Sequence, residues 1–148
     1  MKILIGADHR GFNLKYRLIA WFKEAGYEYE DMGALVYEGN DDYPIFATRV
    51  AEKVAQDKQA LGVVICGSGV GVCVVANKVI GIRCGQAINA EQVKTARSHD
   101  DMRVLSLAAD YMSFESAREL VDVFVNTEFK AEERHQRRLA QIDELEQK

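Results

Sequence analysis

Short apolar runs alternate along the chain with longer stretches in which apolar residues recur every three or four positions. Lys2–Gly6 (KILIG) reads as a buried strand that ends just before Asp8. Gly11–Ala25 carries apolar residues at Phe12, Leu14, Leu18, Ile19 and Phe22, close to helical spacing, and Gly26 supplies a C-terminal cap. Tyr27–Asp31 predicts a second strand, followed by a polar loop over Tyr37–Asp42. Pro44 sits where a first helical turn accepts it, and Ile45–Gln56 predicts a helix with Phe46, Val50 and Val54 at four-residue spacing. Leu61–Cys66 (LGVVIC) is apolar on both faces, as an interior strand of a parallel sheet requires. A glycine loop, Gly67–Gly71, leads into an apolar helix, Val72–Lys78. Gly81–Cys84 predicts the fourth strand, Ala90–Ser98 a helix and Arg103–Leu107 the fifth strand. Ser113–Asn126 predicts a helix capped by Ser113. The chain ends in a charged helix, Glu128–Lys148, with Leu139, Ile142 and Leu145 at three-residue intervals.

Five strand–helix units in succession imply a doubly wound sheet with helices on both faces. The expected fold is a single three-layer α/β/α Rossmann-like domain spanning residues 1–148, with a five-stranded parallel sheet and a C-terminal helical extension. No repeat or linker divides it. In such folds ligands bind beyond the carboxyl ends of the strands. That rule groups Asp8 and His9, the loop after Cys66 and the segment around His99.

Composition narrows the possibilities. Hydrophobic residues make up 48% and charged residues 28%, the profile of a packed domain and not of a disordered chain. The net charge of −4 argues against a nucleic-acid binder but leaves room for a local cationic pocket. No apolar run reaches a membrane span, and the opening MKILIGADHRGF breaks too early for a signal peptide, so a cytoplasmic protein is expected. The three cysteines, Cys66, Cys73 and Cys84, form no CxxC pair; reduced thiols and no structural zinc are expected. Cys73 and Cys84 read as core or near-core thiols.

The segment Cys66-Gly-Ser-Gly-Val-Gly71 holds the strongest chemical signal. A strand ends, a thiol follows, and alternate glycines lead into a helix. Glycine lets the backbone approach a ligand, and free N–H groups at a helix start stabilise anions. The same field favours thiolate at a nearby cysteine. One short stretch can thus supply a base and a cradle for oxyanion charge; equally, a buried cysteine can precede an ordinary tight turn. The dinucleotide fingerprint needs GxGxxG, and this loop reads GxGxG. It lacks the Lys-Ser/Thr of a nucleotide-triphosphate loop, and the residue six after Cys66 is Val72 where a cysteine phosphatase needs arginine. Asp8-His9 can bind sugar hydroxyls or move protons, or can be a helix cap beside a surface histidine. His99, next to Asp100, can serve the same chemistry or stabilise a helix C-terminus. Arg134, His135, Arg137 and Arg138, following Glu132 and Glu133, read by default as a solvated helical face.

With these residues in place, the chain resembles the ribose-5-phosphate isomerase type B and galactose-6-phosphate isomerase family. The resemblance runs through about Ile142. It is carried by GADHRGFNLK (Gly6–Lys15), DDYPIFA (Asp41–Ala47), GVVICGSGVGVCVVANKVIGIR (Gly62–Arg83), the His99 region followed by RVLSL, and the tail ERHQRR. It implies reversible aldose–ketose isomerisation of a small sugar phosphate through a cis-enediolate, with no metal or organic cofactor. Cys66 matches the proton-shuttling base, Gly67, Gly69, Val70 and Gly71 the anion-binding loop, and Ser68 its Ser/Thr. Asp8 and His99 match residues for hydroxyl proton transfer and ring opening. His9, Tyr43, Asp100, Arg134 and Arg138 match substrate- or phosphate-contacting positions. Family members are homodimers or tetramers whose sites combine residues from two subunits, with the C-terminal helix, about 128–148 here, at the interface. One branch pairs a catalytic subunit with a non-catalytic sugar-phosphate-binding partner lacking the base, the alternative reading here; retention of Cys66, Ser68, Asp8 and His99 favours catalysis. A flavodoxin-like receiver domain ranks last, because Cys66-Gly-Ser stands where a phospho-acceptor cluster belongs.

Three departures from the family bear on the substrate. Asp100 replaces a common Asn, Asp110 replaces a phosphate-contacting Arg, and Glu132-Glu133 replaces Gly-Gly before the tail arginine. Each adds negative charge near the expected anion end, which disfavours a phosphate dianion unless a cation compensates. Two readings follow: a substrate other than ribose 5-phosphate, or an Asp110 that points away while Arg134, Arg137 and Arg138 suffice.

Overall fold

The computed structural model describes residues 1–148. Its strands are β1 (Lys2–Ala7), β2 (Tyr29–Asp31), β3 (Ala60–Cys66), β4 (Cys84–Gln86) and β5 (Val104–Ala108). Its helices are α1 (Phe12–Ala25), α2 (Tyr43–Gln56), α3 (Val70–Ala76), α4 (Ala90–Asp100), α5 (Phe114–Val125) and α6 (Glu133–Glu146). All strand pairs are parallel, in the order β2-β1-β3-β5-β4. The expected three-layer α/β/α architecture, with five parallel strands and a C-terminal helix, is the one found.

The residue pattern explains the layering. Every residue of β3 is buried, because this strand has neighbours on both edges and helices on both faces. On one face, Leu14, Leu18 and Phe22 of α1 meet Val93 of α4 and Leu120, Val121 and Phe124 of α5. On the other, Ala47, Val50 and Val54 of α2 meet Val72 and Ala76 of α3. Fully burying one such side chain contributes about 1.5–3 kcal/mol. Gly26 closes α1 in the left-handed conformation (φ 76°), as its sequence position predicts.

Several boundaries differ from the sequence reading; β2, for one, starts at Tyr29 and not Tyr27. The fourth strand is Cys84–Gln86, not Gly81–Cys84; Ile82 is buried, but in the loop beneath α2 and α3. Helix α3 starts two residues earlier, at Val70, and ends at Ala76, where Asn77 leaves the helix to bind β4. Helix α2 begins at Tyr43, placing Pro44 in its first turn. Helix α6 begins at Glu133, because the preceding segment is tied to α4 through Lys130 N–H and the Ser98 carbonyl, 2.8 Å apart.

Two polar arrangements shape the framework. Lys15 is fully buried: its ammonium donates to both carboxylate oxygens of Asp31, at 2.6 and 2.8 Å, and to the Ala34 carbonyl at 2.5 Å. Asp31 Oδ1 also accepts the Gly33 N–H, so this ion pair fixes the start of the loop that leads to α2. On the opposite edge, the Asn77 amide donates to the Cys84 carbonyl and its oxygen accepts the Cys84 N–H, both at 2.9 Å. Cys73 and Cys84 are half-buried here, and hydrogen bonds from Cys84 and Asn77 lower the Cys73 thiol to about 7.

Candidate active site

The strand order reverses direction at β1 and β3, since the chain passes outward from β1 to β2 and then returns to β3 on the other side. Such a reversal opens a crevice beyond the strand ends. Asp8, Arg10, Tyr43, Cys66, Gly67, Ser68, Val70, Gly71 and Asp110 line a cavity of about 360 Å³ there. Seven of the residues singled out in the sequence for catalysis or substrate binding meet in it. A larger hollow of about 730 Å³, between Gln86–Glu91 and Tyr111–Leu120, holds none of them and no thiol or imidazole.

Cys66 is the last residue of β3 and is 5% exposed. The backbone turns at Gly69, whose φ of 72° suits glycine. A Cβ at Gly69 would also stand 2.7 Å from the Gln86 amide and 3.0 Å from the Leu107 backbone. The Ser106 hydroxyl and the Gln86 amide hold the loop from below through the Gly69 and Ser68 carbonyls. Ser68 Oγ accepts the Val70 N–H at 3.2 Å, while the N–H groups of Gly67, Ser68 and Gly69 have no protein acceptor. These free donors beside a thiol are the feature the glycine pattern predicts, and they suit a developing oxyanion.

Asp8 follows β1 and is 4% exposed. Its Oδ1 accepts the backbone N–H groups of Arg10 and Gly11, at 3.0 and 3.1 Å. Burial raises the Asp8 carboxyl above its ordinary range, partly offset by those two hydrogen bonds and by His9. Asp8 therefore closes the turn between β1 and α1 while also facing the cavity; it is not the helix cap the sequence offered, since Gly11 holds that position and no side chain caps α1. His9 is not a free surface histidine. Its Nδ1 and its backbone N–H both lie 2.8 Å from Asp41 Oδ1. The Asp41 side chain is 8% exposed, and its Oδ2 is buried without a partner. Asp8, His9 and Asp41 lie close enough for a shared cation, although the resemblance implies no metal.

The remaining candidates lie elsewhere in the chain. His99, at the end of α4, stacks on His135 with centroids 4.4 Å apart and rings 24° from parallel. Asp100 is exposed at the same helix end, and its carbonyl accepts from Arg83. Arg134 is bound to Glu132 and Arg137 to Glu133, so the two glutamates that depart from the family pattern neutralise tail arginines; Arg138 makes no ion pair. The solvated-face reading fails at His135, which is 2% exposed and whose Nδ1–H donates to the Lys130 carbonyl, 2.8 Å away. Its four-residue spacing to buried Leu139 was the available signal.

Sequence reasoning missed Arg10 and Asp41 and noted Asp110 only as a departure. Arg10 and Asp110 form an ion pair at the cavity wall, with Nε 2.8 Å from Oδ2 and Nη2 bound to the same oxygen. Partners 100 residues apart leave no periodic trace in a sequence.

Comparison with known proteins identifies the family. The family model described as Ribose/Galactose Isomerase matches residues 3–142. Ribose-5-phosphate isomerase B of Mycobacterium tuberculosis H37Rv is 38% identical over 146 residues, covering 99% of this chain and 90% of that protein. The Escherichia coli K12 protein of the same name is 36% identical over 147 residues, covering 99% and 97%. The crystal structure of ribose-5-phosphate isomerase B from Mycoplasma genitalium with bound ribulose-5-phosphate superposes with a TM-score of 0.93 at 36% identity, covering 99% and 97%. That from Thermotoga maritima superposes at 0.91 with 34% identity, covering 97% of each chain. With family match, sequence identity and fold in agreement over nearly its full length, the chain belongs to the ribose/galactose isomerase family, enzymes that interconvert aldoses and ketoses.

Proposed function

We propose that this protein isomerises a small aldose phosphate to its ketose through a cis-enediolate, with Cys66 as the base. The observation that carries this reading is the Cys66 thiol beside three unpartnered backbone N–H groups at the strand-reversal crevice. A C–H next to a carbonyl is weakly acidic, so its removal needs the resulting oxyanion to be stabilised as it forms. The N–H groups of Gly67, Ser68 and Gly69 supply that stabilisation without a metal or organic cofactor. Cys66 as thiolate takes the proton from C2 and returns it to C1. Asp8, whose burial favours the protonated carboxyl, moves the hydroxyl proton that must cross between O1 and O2. Tyr43 and Ser68 border the same cavity and contact the substrate.

His99, Arg134 and Arg138 do not line the Cys66 cavity of their own chain. We place them in the site of a second copy, where His99 opens the sugar ring and the arginines hold the phosphate. This assigns α6 to the interface of a homodimer.

The test is turnover by wild-type protein and Cys66→Ala, without added metal, across four- to six-carbon aldose and ketose phosphates. Conversion by wild type, reduced at least about a thousandfold in the variant, is expected for loss of the base. Equal conversion by both removes Cys66 as base. No conversion by wild type overturns the isomerase reading in favour of a binding subunit.

A further inference from the structure

The Arg10–Asp110 ion pair has a position that the reaction steps above do not use. Arg10 lies just after β1 and Asp110 just after β5, the two strands that flank β3. The pair therefore arches across the end of β3, directly over Gly67. The Asp110 N–H donates to the Gly67 carbonyl at 3.0 Å. A Cβ at Gly67 would stand 2.6 Å from Asp110 Oδ2 and 2.7 Å from Arg10 Nε, so the pair rests on the backbone next to the Cys66 thiol.

The chemistry of this strap is specific. Arg10 is the one cationic side chain lining the cavity, and Asp110 cancels its charge. The wall therefore offers a phosphate dianion little net attraction. Asp110 Oδ2 takes both bonds from Arg10, leaving Asp110 Oδ1 and Arg10 Nη1 without protein partners. Both side chains remain accessible, at 57% and 35% exposure. A hydroxyl can accept from a guanidinium N–H while donating to a carboxylate oxygen, so a paired Arg and Asp offer both halves of what one hydroxyl needs.

We propose that the Arg10–Asp110 pair is the specificity-determining contact of this site, binding the C3 hydroxyl of the sugar, the one next to the reacting C1–C2 unit. This deepens the isomerase reading and rests on it. The assignment takes the C1–C2 unit to lie at Cys66 and the sugar chain to run on beneath the strap, which covers Gly67, the residue next to the base. Inverting that carbon turns its hydroxyl away from both partners.

The test uses the full-length protein and two pairs of sugars that differ only at C3: ribose 5-phosphate with xylose 5-phosphate, and allose 6-phosphate with glucose 6-phosphate. Wild type is expected to prefer one C3 epimer by about tenfold or more in kcat/KM, the effect of one hydrogen bond to a charged group. Asp110→Ala and the double variant Arg10→Ala/Asp110→Ala are expected to bring that ratio to within about threefold, and Asp110→Asn to retain part of it. A merely structural role would lower both epimers alike and leave the ratio unchanged, and that result overturns the proposal while leaving the isomerase standing. The same holds if wild type shows no C3 preference. If neither pair is turned over, the C3 epimers are taken from whichever sugar phosphate the wider panel shows to be converted; absence of turnover across that whole panel overturns the isomerase reading and this one with it.

Discussion

Replacing Lys15 by methionine tests the framework behind the site. The Lys15 side chain is fully buried and Asp31 is 17% exposed, so the substitution leaves a nearly enclosed carboxylate without its cation. The Ala34 carbonyl, 2.5 Å from the ammonium, also loses its donor. Breaking a buried pair from one side costs about 3–5 kcal/mol. With an unfolding entropy of about 2.1 cal/mol/K per residue, 148 residues give roughly 0.3 kcal/mol/K, so Tm should fall by about 10–16 °C. Thermal and urea melts of wild type, Lys15→Met and Lys15→Met/Asp31→Asn measure this. The double variant should recover at least about half of the loss, because the amide keeps an acceptor for the Gly33 N–H and removes the stranded charge. A loss below about 1 kcal/mol in the single variant, or further destabilisation in the double, would refute the argument.

Burial raises the Asp8 carboxyl, so the folded protein holds that proton more tightly than the unfolded chain. The associated stability is present below the ordinary carboxylate range and is lost as pH rises through the folded-state value. Asp8→Asn should therefore melt higher than wild type at neutral pH, with the gap closing near pH 3–4 (about the unfolded value), while isomerase activity falls. An equal Tm gap at both pH values contradicts this. The two-copy site predicts that mixing inactive Cys66→Ala and His99→Ala proteins, with subunit exchange allowed, restores about a quarter of wild-type turnover: half of the dimers are mixed, and each carries one intact site. If size measurements show exchange and no activity returns, the sites do not combine two copies.

Much of the architecture could be read from apolar periodicity. The interior strand Leu61–Cys66 and the stripe Leu14, Leu18, Phe22 owe their burial to local pattern, and they were found where that pattern puts them. The fourth strand was misplaced because it is short and polar at the sheet edge, while the stronger apolar signal, Ile82, belongs to a buried loop. The site divides the same way. Cys66 and its glycines announce themselves within six residues. The Asp41–His9 and Arg10–Asp110 contacts join segments 32 and 100 residues apart, and only the sheet order brings them together. His135 was misread because the arginines around it set the apparent character of the helix, whereas its own face turns inward to His99.

The Asn77 side chain has a consequence for how these molecules meet one another in solution. A parallel sheet whose last strand is only three residues long still exposes backbone groups that a strand from another molecule could extend. At Cys84 both outward-facing groups are already taken by one amide, at 2.9 Å each. Asparagine here copies a neighbouring peptide bond and ends the ladder with a group that cannot propagate it. A foreign strand would first have to displace two formed hydrogen bonds, and would gain only two of the same kind in return.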